Sequence, residues 1–206
     1  AWSFSTGVLR GHEGGPLVIG DVLYIHSPFP NKVFALDLKD SGRVIWRYES
    51  VQDPSVVPVM CCDTVNRGLS YADGKIFLYQ ADTTLVALDA KSGKVVWQKD
   101  LMKDFAGRNI SWQNAASPLV EGSLVYVAGG GAGQSILAFN KQTGAVAWKA
   151  HDEKITHSTP VAATIHGVRQ VIFFCQSGLV SVDAKDGKLL WKRPFKFAVS
   201  TAMTPI

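Results

Sequence analysis

The sequence predicts an all-β fold, a β-propeller of about four blades, on three observations. One pattern, Ala-x-Asp or a close variant (Ala-x-Asn, Ser-x-Asp) followed by Gly and then Trp, occurs four times. Its tryptophans, Trp46, Trp97, Trp148 and Trp191, are spaced 51, 51 and 43 residues apart, and Trp2 precedes Trp46 by 44. The intervals are filled by short apolar runs broken by turn residues. A 40–50-residue period of short β segments is the signature of propeller blades.

Each unit reads as four strands. The first has Gly15–Ile19 and Val22–His26, then Phe34-Ala35-Leu36, the Asp37–Gly42 turn and a strand carrying Trp46. The second has Leu85-Val86-Ala87-Leu88, the turn Asp89–Gly93 and Val95-Val96-Trp97. The third has Ser117–Val120, Leu124–Val127, then Ala138-Phe139-Asn140, Gly144 and Trp148. The fourth has Thr159–Ala162, Val171–Phe174, then Ser181-Val182-Asp183, Gly187 and Leu189-Leu190-Trp191. Gly or Asn in the turns can take positive φ, and a Trp at a fixed place in each unit is expected to pack between neighbouring blades. The expected boundaries are one partial propeller over residues 1–206. Its blades run approximately 8–50, 51–100, 101–150 and 151–194, with 1–7 and 195–206 belonging to adjoining blades.

Composition narrows the function. The 206 residues suffice for one sizeable core, and 47% hydrophobic against 18% charged residues is a globular balance. Net charge is +4, but the 21 basic residues form no block, which argues against a nucleic-acid footprint. No apolar run approaches the roughly 18 residues of a membrane span. The start at Ala1 and the close at Thr204-Pro205-Ile206 give the expectation of a piece of a longer chain, a divergent homologue or a chimera. An arc of four blades would expose blade edges, so two copies are expected to self-associate.

The most unusual residues are the neighbours Cys61 and Cys62. A bridge between neighbours closes a minimal ring and removes almost no chain entropy. It must also join Cα atoms about 3.8 Å apart, against roughly 4.4–6.8 Å in ordinary bridges. On the residues alone two readings stand: a strained bridge kept for a site's use, or two reduced cysteines packed as small hydrophobes. Cys175, inside Val171–Cys175, reads as a buried thiol.

Other chemistry is weakly represented. The glycine run 128–135 has Gln134 where a phosphate loop needs Lys, and a strand follows where a helix is required. The five histidines show no zinc spacing, and no Gly-x-Ser-x-Gly elbow is present. His157-Ser158 reads as a blade-entry turn. The sequon Asn109-Ile110-Ser111 is treated as chance.

The Ala-x-Asp-x-x-x-Gly-x-x-x-Trp repeat resembles the tryptophan-docking motif of quinoprotein propellers, which bind pyrroloquinoline quinone (PQQ). The same repeat occurs in non-catalytic relatives such as the lipoprotein propellers of outer-membrane assembly. Residues 1–98 carry more specific motifs: Trp2–Gly7, Gly11-His12-Glu13-Gly14, His26–Asn31, Cys61-Cys62-Asp63-Thr64-Val65-Asn66-Arg67-Gly68 and Gln80–Asp89. Together these are similar to the N-terminal part of the PQQ-dependent methanol dehydrogenase large subunit.

That resemblance implies that Cys61 and Cys62 form a disulfide stacked on one face of the quinone. It implies that Arg67 offers a planar cationic fork to carboxylate or quinone oxygens, and that Glu13 is a polar contact at the ring edge. The plainer alternatives are a surface ion pair for Arg67 and a solvated loop carboxylate for Glu13.

Residues 105–206 resemble PQQ-like propellers more generally. The dehydrogenases place a metal-binding glutamate after a Gly-Ala pair. Here Gly131 and Ala132 are followed by Gly133, so their backbone N–H groups remain candidates for a cofactor carboxylate while a ligand for Ca²⁺ or a lanthanide is missing. The family's catalytic aspartate would fall beyond Ile206. The resemblance further implies a primary alcohol substrate, a cytochrome electron acceptor and a periplasmic location. The alternative is a non-catalytic propeller acting as scaffold or protein-binding module.

Overall fold

The computed structural model describes residues 1–196 and 201–205; residues 197–200 and 206, within the expected adjoining-blade segment 195–206, lie outside the described residues. The described strands form four antiparallel meanders. The first comprises β1 (Leu17–Ile19), β2 (Val22–His26), β3 (Val33–Asp37) and β4 (Arg43–Tyr48). The second comprises β5 (Leu69–Ala72), β6 (Lys75–Tyr79), β7 (Thr84–Asp89) and β8 (Val95–Asp100). The third comprises β9 (Leu119–Glu121), β10 (Leu124–Ala128), β11 (Ile136–Asn140) and β12 (Val146–Ala150). The fourth comprises β13 (Val161–Ile165), β14 (Val168–Cys175), β15 (Gly178–Asp183) and β16 (Leu189–Pro194). The fold is a β-propeller arc. A 3₁₀ turn (Pro54–Val59) and a one-turn helix α1 (Leu101–Asp104) lie between blades.

Local chemistry explains the hairpins. Asp73-Gly74 joins β5 to β6 with both residues left-handed, at φ 46° and 73°. That is the twist a two-residue hairpin needs. In the outer hairpins, Gly93 N–H returns to Asp89 O at 2.8 Å and Gly144 N–H to Asn140 O at 2.8 Å. A register shift follows in each outer pair, between Ala35 and Leu36, Ala87 and Leu88, Ala138 and Phe139, and Ser181 and Val182. This bulge leaves a small residue facing each Trp: Ala35 opposite Trp46, Ala87 opposite Trp97, Ala138 opposite Trp148 and Ser181 opposite Trp191.

The tryptophans hold the blades together. The first three repeat tryptophans each lie on the turn glycine of the next blade, where a Cβ would fall 2.5 Å from Trp46 at Gly93, 2.7 Å from Trp97 at Gly144 and 2.5 Å from Trp148 at Gly187. Trp2 covers Gly42 of the first blade in the same way. The indole N–H groups of Trp46, Trp97 and Trp148 then donate to Ala90 O, Lys141 O and Ala184 O at 2.9, 3.1 and 3.2 Å. Each buried indole therefore has its polar atom satisfied. The three core clusters sit at the blade interfaces. Trp46 and Ala35 pack with Ile76 and Leu88, Trp97 with Leu137 and Phe139, and Trp148 with Val171 and Val182.

Trp191 departs from the pattern. Its N–H donates within its own blade to Gln170 Oε1 at 2.8 Å, and that oxygen also accepts from Ser181 Oγ. The expected packing between blades thus holds for the first three repeat tryptophans, and the fourth is satisfied by a buried polar pair that the other blades lack.

Candidate functional site

The first strands of successive blades, β1, β5, β9 and β13, neighbour one another and line the propeller axis. The segments that enter these strands, together with the β2–β3 type loops, gather at one end of it. Asn and Thr side chains hold the entry segments in place. Asn66 Nδ2 donates to Tyr79 O at 2.9 Å while its Oδ1 accepts from Gly68 N. Asn114 repeats this with Gln80 O and Ala116 N, and Thr156 with Phe174 O and Ser158 N.

Adjacent entry segments are tied edge to edge. Cys61 N–H donates to Trp112 O at 3.2 Å and Arg67 N–H to Ala115 O at 2.9 Å. His157 Nε2 lies 2.8 Å from Gln113 O, and Ser117 N–H donates to Thr159 Oγ1. The 61–67 loop is flanked on its other side by the strap 10–13. Cys61 and Cys62 are disulfide-bonded, with Cα atoms 3.8 Å apart. Cys62, Asp63 and Thr64 follow in the left-handed region, at φ 60°, 63° and 66°. Three such residues in a row cost about 1 kcal/mol each. Backbone bonds compensate: Thr64 N–H closes onto Cys61 O, and Thr64 O accepts from Phe29 N. The disulfide stands at the rim, with Cys62 exposed.

Arg67 and Glu13 meet. Arg67 Nη2 lies 3.2 Å from Glu13 Oε2, and the arginine side chain is 23% exposed. The two candidates thus pair with each other at the mouth. Arg67 Nε is buried and has no hydrogen-bond partner. A buried, charged donor left unmatched is costly, and it suits an anionic or carbonyl acceptor arriving from the mouth.

Gly131 and Ala132 lie in the β10–β11 loop. Gly131 N–H is engaged by Phe105 O at 2.8 Å, and a Cβ at Gly131 would fall 2.4 Å from Ala106 O. Ala132 and Gly133 are exposed. The loop is braced against residues 105–108, with Arg108 N–H on Gly129 O, so Gly131's N–H is committed inside the loop.

His157, read from the sequence as part of a blade-entry turn, lies in the segment entering β13, near Arg67 and Glu13. It is 1% exposed. Burial lowers its pKa, and the nearby Arg67 charge adds to the effect while Glu13 opposes it. It follows Thr156 as Arg67 follows Asn66 and Ala115 follows Asn114, and that repeat of position was the available signal. His26 is also buried, with Nε2 at 3.1 Å from Asn66 O and a pKa lowered by desolvation. Gly14 packs on its ring so closely that a Cβ would fall 1.9 Å from Cε1.

Cys175 is buried as expected, and burial pushes its thiol up to about 12, so it is inert. Asn109 Nδ2 donates to Ala81 O and to Gln113, so the sequon amide is engaged within the fold. Among the described residues no group of three or more His, Cys, Asp or Glu side chains is placed to hold a metal ion. The several oxygen ligands that a hard cation wants are therefore not supplied by a cluster of acidic side chains among the described residues. Among the described residues no helix is long and apolar enough to cross a membrane.

A tryptophan-docked propeller arc with a vicinal disulfide and an arginine at its axial mouth is a quinoprotein-type propeller. The chain belongs to the PQQ-like repeat family, whose model, described as outer membrane protein assembly factor BamB, matches residues 39–203. A putative dehydrogenase XoxF of Paracoccus denitrificans is 57% identical over 152 residues, covering 73% of this chain and 25% of that protein. A lanthanide-dependent methanol dehydrogenase of Methylorubrum extorquens is 52% identical over 155 residues, with the same coverage of 73% and 25%. The structure of a europium-containing methanol dehydrogenase superposes with a TM-score of 0.65 at 25% identity, over 95% of this chain and 53% of that one. The chain thus spans about a quarter of the length of the curated relatives it matches. A likeness of 152 residues also reaches past the first 98, further than the sequence motifs alone carried it.

Proposed function

We propose that this chain forms the quinone-holding blades of a PQQ-dependent alcohol dehydrogenase. The observation that carries the reading is the Cys61–Cys62 disulfide at the axial mouth, flanked by the Glu13–Arg67 pair and the unmatched Arg67 Nε. When bound, PQQ supplies the two-electron acceptor that side chains lack. The protein's part is position and electrostatics. The disulfide is a flat, apolar lid that excludes water from one face. Arg67 offers its free Nε–H and its guanidinium charge to a quinone or carboxylate oxygen. Glu13 holds the guanidinium plane and contacts the ring edge. In the β10–β11 loop Ala132 is the better-placed backbone donor, since Gly131 supplies shape.

The whole protein's activity follows from further blades in this reading. Its substrate is a primary alcohol such as methanol, its electron acceptor a cytochrome, and its metal Ca²⁺ or a lanthanide held largely by residues outside 1–206. A vicinal disulfide is at home in an oxidising compartment, which supports a periplasmic location. Exposed Phe195, at 49%, and the outer face of the fourth blade favour self-association of the isolated chain. The second reading is a non-catalytic scaffold propeller, favoured by the BamB description of the matching family model.

Titration with PQQ, alone and with La³⁺ or Ca²⁺, separates the two. Quinone absorbance changes and Trp quenching on binding, without alcohol-dependent dye reduction, are expected from these 206 residues. No binding at all would favour the scaffold, and steady methanol oxidation would refute the assignment of the chemistry to further blades.

A further inference from the structure

The strap that carries Glu13 and the loop that carries the disulfide come from different blade entries. They touch at two points. One is the Glu13–Arg67 pair. The other is Asp63, the residue immediately after Cys62. Its Oδ2 accepts from Gly11 N at 2.6 Å, and its Oδ1 accepts from Arg10 Nη1 at 3.0 Å. One carboxylate thus holds a backbone N–H and a guanidinium of the strap at once, both as charge-assisted bonds. Gly11 lies beside the loop backbone, where a Cβ would stand in ordinary contact with Cys62 O at 3.5 Å. The strap is stiffened on its own side, since His12 Nδ1 lies 2.7 Å from Arg10 O and His12 Nε2 lies 3.0 Å from Thr6 Oγ1.

The backbone at Asp63 is informative. It is left-handed at φ 63°, between two left-handed neighbours. Aspartate and asparagine tolerate this conformation better than other side chains bearing a Cβ. The conformation turns the carboxylate out of the loop toward the strap. Along the chain, Gly11 and Glu13 are two residues apart, and their partners Asp63 and Arg67 are four apart, so the strap runs beside the loop between two fixed points.

We propose that Asp63 is a positioning residue: it clasps the Arg10–Gly11 strap to the disulfide loop, so that Glu13 and Cys61–Cys62 are presented as one rigid wall of the mouth. This rests on the quinone reading of the site. Asp63 itself touches neither reacting atoms nor cofactor. Its carboxylate is spent on the strap, and its effect on the ligand passes through Glu13 and the lid.

The test uses the full chain and its Asp63→Asn variant, which keeps left-handed tolerance and removes the charge, with Arg10→Ala as a second, milder break. Hydrogen exchange of the 8–13 amides reads the clasp without any ligand, and PQQ titration reads its consequence. The expected result is exchange at Gly11 faster by about tenfold in Asp63→Asn, weaker PQQ binding by about fivefold to tenfold, and an unfolding midpoint near that of the parent. Arg10→Ala should show a smaller change in the same direction. Unchanged strap exchange in Asp63→Asn overturns the proposal whether or not PQQ binds. Faster exchange with unchanged PQQ affinity also overturns it, because the strap would then move without consequence. If the parent chain binds no PQQ, the quinone reading fails, and strap exchange alone decides the clasp.

Discussion

Trp97 lies on Gly144, with the indole filling the place of the missing side chain: a Cβ there would fall 2.7 Å from Cδ2. Gly144 also holds φ at +70°. The position therefore excludes a side chain twice, by backbone conformation and by the ring of the neighbouring blade. Gly144→Ala should destabilise the fold by about 2–3 kcal/mol. Urea unfolding checks this, with Gly133→Ala as control. Gly133 has a similar φ of +72° but open space around it, so it should lose only about 1 kcal/mol.

The indole bonds differ in their redundancy. Ala184 O accepts from both Trp148 Nε1 and Tyr126 OH. Lys141 O receives Trp97 Nε1, and the facing residue in that blade is Phe77, which has no hydroxyl. Trp97→Phe should therefore cost more than Trp148→Phe, about 2 against about 1 kcal/mol. Equal losses in denaturant titrations would show that packing alone sets the interface energy.

These blade contacts were legible in advance because they are encoded locally. The Asp–Gly–Trp spacing fixes a turn, a bulge and a ring at the same place in every unit, so Trp46, Trp97 and Trp148 could be assigned to blade interfaces from spacing. Trp191 could not, because its partner Gln170 comes from another strand and has no counterpart in the repeat. The site was half legible. Cys61–Cys62, Glu13 and Arg67 were found through motifs, but their mutual arrangement was not. The reach of Asp63 to Gly11 spans 52 residues, and the left-handed run at 62–64 sits on residue types that do not announce it. His157 resembles an ordinary turn residue until Arg67 and Glu13 are placed beside it.

Two buried histidines make stability depend on pH. His26 and His157 both have pKa values lowered by burial. The unfolded chain then binds protons that the folded chain does not, so stability falls as pH drops through the unfolded value of about 6.5 and levels off below the folded values. Denaturant midpoints should fall from pH 7.5 to pH 5. The slope should flatten in His26→Gln, and a variant with the parent's slope would remove His26 from the account.

Arg67→Lys tests whether shape or charge matters at the mouth. Lysine keeps a charge near Glu13 but loses the Nε–H and the planar fork. PQQ affinity should fall about tenfold while thermal stability changes little. Equal affinity in the lysine variant would mean that Arg67 acts only as a point charge.

The most direct measurement compares PQQ binding by the oxidised chain and by the Cys61→Ser/Cys62→Ser variant, followed by Trp quenching under identical conditions. A bridge between neighbours contributes little to stability through chain entropy, so the variant should unfold at nearly the parent's denaturant midpoint. The account predicts saturable PQQ binding by the parent and binding at least about tenfold weaker in the variant. Indistinguishable binding by two equally folded proteins would contradict it, because the disulfide would then be no lid at all.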